Sequence, residues 1–202
     1  MGKMKTRLFS AFIALLILTG SVPSFSAYAE WHWYPSETGI FSLVDGEQYW
    51  ISLNEEEIPE IADLLGEELE LPTAAVAGIM ANLQTESSFD EQKVGDLGAA
   101  YGLCQWRGPR LDAMVEYCDQ QDLNPVSREG QLRFLIHDLQ EHYIYAYDLL
   151  LTCNDTQQGA VEAAYYFCSQ YECPSNPDEV SPPRELLAKH LIYPLLKELR
   201  EE

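Results

Sequence analysis

The amino-acid sequence predicts one mainly α-helical domain that follows a short β-prone extension. From about residue 55 onward, apolar residues recur at the three- and four-residue spacing that is typical of helices. Before that point, tryptophans and β-prone residues are grouped around a Gly-containing break. The length of 202 residues suits a single domain, and the fractions of 47% hydrophobic and 22% charged residues are typical of a folded globular chain.

The first 29 residues have the features of a signal peptide. They contain a basic start, an apolar run over residues 8–18, and the small residues of Ala27-Tyr28-Ala29 where a signal peptidase would cut. A transmembrane anchor is the alternative, but the apolar run is too short to cross a bilayer. We therefore expect cleavage after Ala29, secretion of the remaining 173 residues, and no stable membrane insertion afterwards.

Residues 30–54 form the N-terminal extension, and residues 55–202 form the main domain. The extension contains Trp31, Trp33 and Trp50, and a break at Asp45-Gly46. This composition predicts a small hairpin or a loose arm that lies over the domain.

Several residues mark the boundaries of helices in the main domain. Ser127 opens a helical pattern that runs towards Leu150, and Asp155 is suited to cap the next helix. The residues Ser181-Pro182-Pro183 start a last helix, which Pro194 should kink or interrupt.

The chain is strongly acidic, with 12 Lys and Arg residues against 33 Asp and Glu residues and a formal net charge of −21. Such a surface repels phosphates, which excludes a nucleic-acid-binding function and disfavours docking on an anionic membrane. Cleavage of the leader would remove three positive charges and no negative ones, which leaves the mature chain at −24.

All five cysteines would remain after this cleavage: Cys104, Cys118, Cys153, Cys168 and Cys173. Secretion makes disulfides possible, so four of the five could form two bridges, in a connectivity that the sequence leaves open. The sequence contains no C-x-x-C, and its four histidines are scattered, so we predict no metal site. It also lacks a Gly-rich phosphate loop, and we predict no cofactor.

Glu86 stands at the end of the best-marked helix. Pro72-Thr73 marks the start of this helix, and its apolar stripe includes Ile79 and Leu83. At about 100° per residue, Glu86 lies about 20° from Ile79 and about 60° from Leu83, on the core-facing side. Partial burial and the negative end of a helix dipole both favour a protonated carboxyl, as a general acid requires. A solvated glutamate at a helix end is the alternative.

The region after Glu86 contains several short motifs in order. They are Glu86-Ser87-Ser88-Phe89-Asp90, Val94-Gly95-Asp96, Ala100-Tyr101-Gly102-Leu103-Cys104-Gln105-Trp106, Arg110-Leu111 and Tyr171-Glu172-Cys173-Pro174. Together they resemble the phage tail-tip lysozyme family and, more distantly, soluble lytic transglycosylases and goose-type lysozymes with their E-S-x-F and G-L-x-Q motifs. The resemblance covers roughly residues 56–199. It implies a lysozyme-like helical fold and cleavage of the bond between N-acetylmuramic acid and N-acetylglucosamine in the glycan strands of peptidoglycan.

The resemblance also implies roles for individual residues. Glu86 matches the catalytic acid of the family, which protonates the glycosidic oxygen. Gln105 matches the glutamine of G-L-x-Q, a cleft residue that holds the substrate or shapes the wall. Tyr101 and Trp106 could stack on sugar faces or could simply belong to the core. Cys104 is a bridge or core residue rather than a nucleophile.

The second acid is left open by the sequence. An inverting hydrolase needs a second carboxylate to activate water, whereas a lytic transglycosylase can proceed with one. Asp96 is the first candidate for this base, and Asp90 is the second. Glu172, which lies much later in the chain, could also contribute the second carboxylate. In so acidic a chain each of them could equally be a solvated surface residue.

Two other functions remain alternatives at this point. The domain could be an inactive glycan-binding or cell-wall-binding module that holds sugars with Trp106 and the tryptophans of the extension. It could also be a secreted structural protein that has kept the fold. For the enzyme, we expect a location at the cell wall. Its negative charge should slow encounter with an anionic wall, so activity should rise at moderate salt.

Overall fold

The computed structural model describes residues 33–44 and 47–201, and the fold is mainly α-helical, as predicted. The predicted signal peptide and Trp31 lie outside the described residues. No helix in the described ranges is both long enough and apolar enough to cross a membrane.

The described helices fill most of the main domain. They are α1 (Ile58–Leu69), α2 (Thr73–Ser87), α3 (Pro109–Gln120), α4 (Arg128–Glu141), α5 (Ile144–Leu151), α6 (Gln157–Tyr166), α7 (Pro177–Val180), α8 (Pro182–Leu187) and α9 (Tyr193–Glu201). A π-helical turn, Phe167–Glu172, continues α6, and a second one, Ala188–Ile192, joins α8 to α9. Pro194 follows the second π turn after one residue, Tyr193. The change of helical geometry just before it accommodates a residue that has no backbone N–H, and the helix is not broken there.

Two small antiparallel sheets complete the described structure. The first contains β1 (Trp33–Pro35), β2 (Gly39–Val44) and β3 (Glu47–Ser52), in that order. The second contains β4 (Val94–Gly95), β5 (Ala100–Tyr101) and β6 (Trp106–Arg107), also in that order. The predicted β-prone extension is thus a three-stranded sheet, of which β1 and β2 pack on α8.

Helix α2 is the centre of the main domain. Thirteen of its fifteen residues are buried, and Thr85 and Glu86 in its last turn are the exceptions. A Cβ atom on Gly78 would lie only 2.5 Å from the Cβ atom of Ala163, so glycine allows α2 and α6 to approach closely. The Asn82 side chain joins the same two helices, because its Nδ2 atom donates to the carbonyl oxygen of Ala164 at 3.1 Å. Burial on all sides replaces the single apolar stripe that the sequence predicts.

The start of α2 is capped from a distant part of the chain. Asp155 accepts a hydrogen bond from the backbone N–H of Ala74 at 3.0 Å. The prediction that Asp155 caps the next helix is wrong, because Thr156 caps α6 by accepting from the N–H of Gly159 at 3.0 Å. Two neighbouring residues with capping side chains thus serve two different helices.

The long helical pattern after Ser127 is divided in the structure. Ser127 caps α4 as predicted, by accepting from the N–H of Gly130 at 3.2 Å. The helix is then interrupted at residues 142–143, between α4 and α5. The backbone N–H groups of His142 and Tyr143 both donate to the carbonyl oxygen of Asp138, which ends α4 before the apolar pattern ends.

Candidate active site

The last turn of α2 opens into a cavity of about 460 Å³. The cavity is also bordered by the segment that leads into β6, by the end of the first π turn, and by α8. Its lining includes Glu86, Cys104, Gln105, Arg110, Glu172 and Arg184. It is therefore a concave site that contains two carboxyl groups and, with Arg107, three guanidinium groups.

Glu86 reaches the cavity because α2 ends directly after it. Ser88 and Phe89 have left-handed backbone conformations, with φ angles of 58° and 61°, which end the helix. The ring of Phe89 is buried and holds this end in the core. The Glu86 side chain stays 25% exposed, so its carboxylate is accessible from the cavity.

Arg184 provides the counter-charge for Glu86. Its Nη2 atom donates to Oε1 of Glu86, and its Nη1 atom donates to the carbonyl oxygen of Val180 at 2.5 Å. Only 9% of the Arg184 side chain is exposed, and its buried Nε atom has no partner among the described residues. Because a buried guanidinium needs an anionic partner, Glu86 and Arg184 depend on each other at this edge of the cavity.

Glu172 is the second carboxyl group of the cavity. Burial, and to a smaller extent the negative charge of Glu86, raise its pKa to about 8, although the guanidinium groups of Arg110 and Arg184 act in the opposite direction. Its Oε1 atom is buried and has no hydrogen-bond partner within the described ranges. At neutral pH the cavity thus holds a protonated Glu172 together with Glu86.

A buried network supports the cavity on the side of Arg110. The Arg110 guanidinium stacks on the rings of Tyr143 and Tyr171, with distances of 4.5 and 4.3 Å from its central carbon to the ring centroids. It also contacts Asp138, with 3.2 Å between Nη2 and Oδ2. Tyr171 donates to the same carboxylate at 3.0 Å. Asp138 thus accepts from both Arg110 and Tyr171 and holds the two side chains together.

Gln105 lies in the cavity lining, where its side chain braces the loop between β5 and β6. Its Nε2 atom donates to the carbonyl oxygens of Lys93 at 3.1 Å and Gly102 at 3.0 Å. A Cβ atom on Gly95 would come within 2.1 Å of the Gln105 Oε1 atom, so only glycine leaves room for this side chain. The observed contacts show a residue that shapes the wall, and substrate contact remains a prediction.

The two aromatic candidates of this region differ in position. Trp106 lies in the cavity lining but is only 2% exposed, because its ring packs edge-on against Phe134 and its Nε1 atom donates to Tyr171 at 3.2 Å. Tyr101 is half-buried, pairs with Trp106 between β5 and β6, and is not in the lining. These positions favour core packing for Trp106, and sugar stacking by either ring remains a prediction.

The structure does not bring Asp96 or Asp90 into the cavity lining. Asp96 is about half exposed and forms an ion pair with Arg107, with 2.5 Å between Oδ2 and Nη1. Asp90 is exposed and accepts from the backbone N–H of Gln92 at 2.9 Å. Of the three carboxylates that the sequence offers as a second acid, Glu172 is the one that shares the cavity with Glu86.

The five cysteines, all within the described ranges, are free thiols, so the two possible disulfides are not formed. Four of the thiols are buried at separate places in the domain, and Cys173 is exposed. Burial raises the pKa of Cys104, which lines the cavity, well above its usual value. A buried, protonated thiol of this kind is a poor nucleophile, in agreement with a core role. No cluster of His, Cys, Asp and Glu side chains in the described part suits a metal ion.

The sequence analysis missed Arg184 and did not assign a role to Arg110. Arg184 is 98 residues away from Glu86, and no local motif links the two. One available signal is composition, because an acidic chain with only 12 basic residues contains few that can serve a buried carboxylate.

Comparison with known proteins identifies the family of the chain. A family model described as phage tail lysozyme matches residues 57–195, which include both carboxyl groups and all three guanidinium groups of the cavity. No curated protein matches the chain. The match covers more than half of the chain, which therefore belongs to the phage tail lysozyme family and has the lysozyme-like, peptidoglycan-lytic function of that family.

Proposed function

We propose that the protein cleaves the bond between N-acetylmuramic acid and N-acetylglucosamine in peptidoglycan, with Glu86 as its general acid and Glu172 as the second carboxyl group of its active site. The observation that carries this proposal is that two carboxyl groups line one cavity, with Arg184 in contact with one of them. Most glycosidases use a pair of Asp or Glu carboxyl groups on either side of the scissile bond.

Glu86 is the proton donor to the substrate in this proposal. Its carboxylate is 25% exposed at the cavity, whereas the Oε1 atom of Glu172 is shut off from solvent. Glu172 is the second carboxyl group beside the reacting bond, and burial keeps it protonated at neutral pH. Arg184 stabilises the negative charge that returns to Glu86 after each proton transfer.

Cleavage transfers one proton from Glu86 and breaks one carbon–oxygen bond. Glu86 protonates the glycosidic oxygen while the bond from this oxygen to the anomeric carbon breaks, so the N-acetylglucosamine side leaves with a hydroxyl group. An incoming hydroxyl oxygen bonds to the anomeric carbon, and its proton goes to the Glu86 carboxylate, which restores the general acid. Water as the nucleophile gives hydrolysis, and the 6-hydroxyl group of the same muramic acid gives the anhydro product of a lytic transglycosylase.

Product analysis on purified peptidoglycan tests the proposal. The full-length chain is compared with Glu86→Gln and Glu172→Gln, and Asp96→Asn is the matched control outside the cavity. We expect Glu86→Gln to abolish release of fragments, Glu172→Gln to slow it on the order of 100-fold, and Asp96→Asn to retain it. Reducing muramic ends identify a hydrolase, and anhydro-muramic ends identify a transglycosylase. Undiminished release by Glu86→Gln, or no release by the parent chain at varied salt and pH, contradicts the proposal.

Secretion is part of the same proposal, because the substrate lies outside the cytoplasm. It is supported by the basic start, apolar run and small residues within residues 1–29. Expression of the full-length chain with recovery from the medium tests it. We expect a mature N-terminus at Glu30, and an uncleaved N-terminus or retention in the cell contradicts it.

A further inference from the structure

Three aromatic side chains form a row across the N-terminal sheet. Tyr34 of β1 pairs with Phe41 of β2, and Phe41 pairs with Trp50 of β3. The ring centroids of Tyr34 and Phe41 are 5.5 Å apart, and those of Phe41 and Trp50 are 6.1 Å apart with 17° between the ring planes. Side chains directly opposite each other on paired strands lie on the same face, so the three rings form one continuous aromatic row.

This row faces solvent, while the opposite face of the sheet is buried. Tyr34 is 49% exposed and Trp50 is 45% exposed, and Phe41 between them is half-buried. Ile40 and Ser42, the neighbours of Phe41 along β2, are both completely buried. The sheet thus presents its aromatic row outward because its other face is occupied by packing on α8.

The sheet is fixed to the two helices that carry the cavity residues Glu86 and Arg184. Gln84, two residues before Glu86, donates to the carbonyl oxygen of Ser52 at 2.8 Å and accepts from the N–H of Asn54 at 3.0 Å. On the other side, α8 supports β1 and β2 and carries Arg184. The aromatic row is therefore held in a fixed position relative to the cavity.

We propose that Tyr34, Phe41 and Trp50 form a binding platform for a chain of neutral, N-acetylated amino sugars. The apolar C–H faces of pyranose rings pack on exposed aromatic rings, and a row of rings can contact successive sugars. The platform lies outside residues 57–195, so the family match does not account for it. That this chain is the glycan strand cleaved in the cavity rests on the proposed function, whereas binding itself does not.

The charge of the protein favours a neutral sugar chain over the other molecules that could bind this aromatic face. A chain of net charge −21 repels a second copy of itself and an anionic membrane surface. A neutral sugar face is not repelled, and aromatic contact supplies attraction that salt does not screen. The platform would thus hold the acidic enzyme on its substrate despite the charge of the wall.

Cosedimentation with peptidoglycan stripped of its anionic polymers tests the platform. The full-length Glu86→Gln protein is used as the parent so that cleavage does not interfere, and Trp50→Ala and Tyr34→Ala are added to it separately. Tyr145→Ala is the matched control, because Tyr145 is an aromatic residue 66% exposed on α5. We expect Trp50→Ala to weaken binding at least tenfold, Tyr34→Ala to weaken it less, and Tyr145→Ala to leave it unchanged.

The outcomes separate the platform from the proposed function. Equal binding by the parent and by Trp50→Ala, both with unchanged thermal unfolding, overturns the platform even where the native enzyme cleaves peptidoglycan. Loss of binding in Trp50→Ala supports the platform even where no variant cleaves. A dimer of the parent that Trp50→Ala dissociates in sedimentation velocity identifies a second copy as the occupant and also overturns the proposal.

Discussion

The guanidinium of Arg184 contacts the carboxylate of Glu86 across 98 residues of sequence. This contact joins the first turn of α8 to the last turn of α2, at the edge of the cavity. Since Glu172 lines the same cavity, the charge of one arginine influences both carboxyl groups. Arg184 therefore contacts one carboxyl group of the cavity and lowers the pKa of the other.

Replacement of Arg184 should change both the rate of cleavage and its pH dependence. We expect Arg184→Gln to lower kcat/KM by about tenfold or more, because the ionised carboxylate loses its counter-charge. Since the guanidinium lowers the pKa of Glu172, its removal should also move the alkaline limb of the pH–rate profile to higher pH. Arg133→Gln, at a more exposed arginine on α4, is the control and should change neither quantity. A lower rate with an unmoved alkaline limb would contradict the electrostatic role.

The raised pKa of Glu172 should make the folded protein less stable at alkaline pH. The folded state retains this proton up to about pH 8, whereas an unfolded glutamate loses it near pH 4.5. Stability from this group is thus fully present below pH 4.5 and is lost as the pH rises to about 8. Because each pKa unit corresponds to about 1.4 kcal/mol, we expect Glu172→Gln to be more stable than the native chain at pH 9 by at least about 1.4 kcal/mol.

Urea unfolding at pH 5 and pH 9 measures this difference. The gain of Glu172→Gln over the native chain should be small at pH 5 and large at pH 9. Glu116→Gln, at an exposed glutamate on α3, should show no such pH dependence. An equal effect of Glu172→Gln at both pH values would show that Glu172 is not protonated in the folded protein.

Gly78 should be among the least tolerant positions of the core. An added Cβ atom would lie 2.5 Å from both the Cβ atom of Ala163 and the backbone nitrogen of Ala164, so Gly78→Ala must separate α2 from α6. We expect a loss of about 1–3 kcal/mol in the free energy of unfolding. Gly66→Ala in α1 is the control, because its nearest neighbour is the flexible end of the Arg200 side chain at 3.0 Å. Equal stabilities for the two variants would contradict the close helix contact.

The local parts of this structure could be predicted from the sequence. The helical period placed Glu86 towards the domain interior, and Ser127 was correctly assigned as the cap of α4. Such assignments succeed because they depend on residues within one or two turns. The β-prone extension was also predicted, although its three-stranded pairing was not.

The long-range parts could not be predicted in this way. Asp155 was assigned to the wrong helix because a capping carboxylate can serve any helix start that the fold brings near it. Asp96 ranked above Glu172 because it is closer to Glu86 in sequence, but the cavity is formed by the return of the chain at residues 172 and 184. The protonation of Glu172 depends on burial, which sequence spacing does not report.

Moderate salt should increase the rate at which the protein cleaves intact cell walls. The acidic protein and an anionic wall repel each other, and the screening length falls to about 10 Å at 0.1 M salt. We expect faster cleavage of intact walls at 0.1 M than at 0.01 M salt. Peptidoglycan without its anionic polymers is the control and should show little change over this range. A rate on intact walls that falls steadily with salt would indicate attraction instead.

Cys173 should be the thiol that reacts first in the folded protein. It is exposed, whereas the other four cysteines are buried, and burial raises the pKa of Cys153 and Cys168 to about 11. Brief treatment with iodoacetamide should therefore add one carbamidomethyl group, which peptide mass spectrometry should map to Cys173. Because Cys173 lines the cavity next to Glu172, this adduct should also slow cleavage.

The Cys173→Ser variant separates the effect of this adduct from other damage. It should remain active, acquire no rapid adduct, and retain its activity after the same treatment. Rapid labelling of several cysteines in the native protein would contradict the burial of Cys104, Cys118, Cys153 and Cys168. Labelling of Cys173 without loss of activity would show that substrate does not pass this wall of the cavity, and would place the reacting sugars nearer to Gln105 and Arg107.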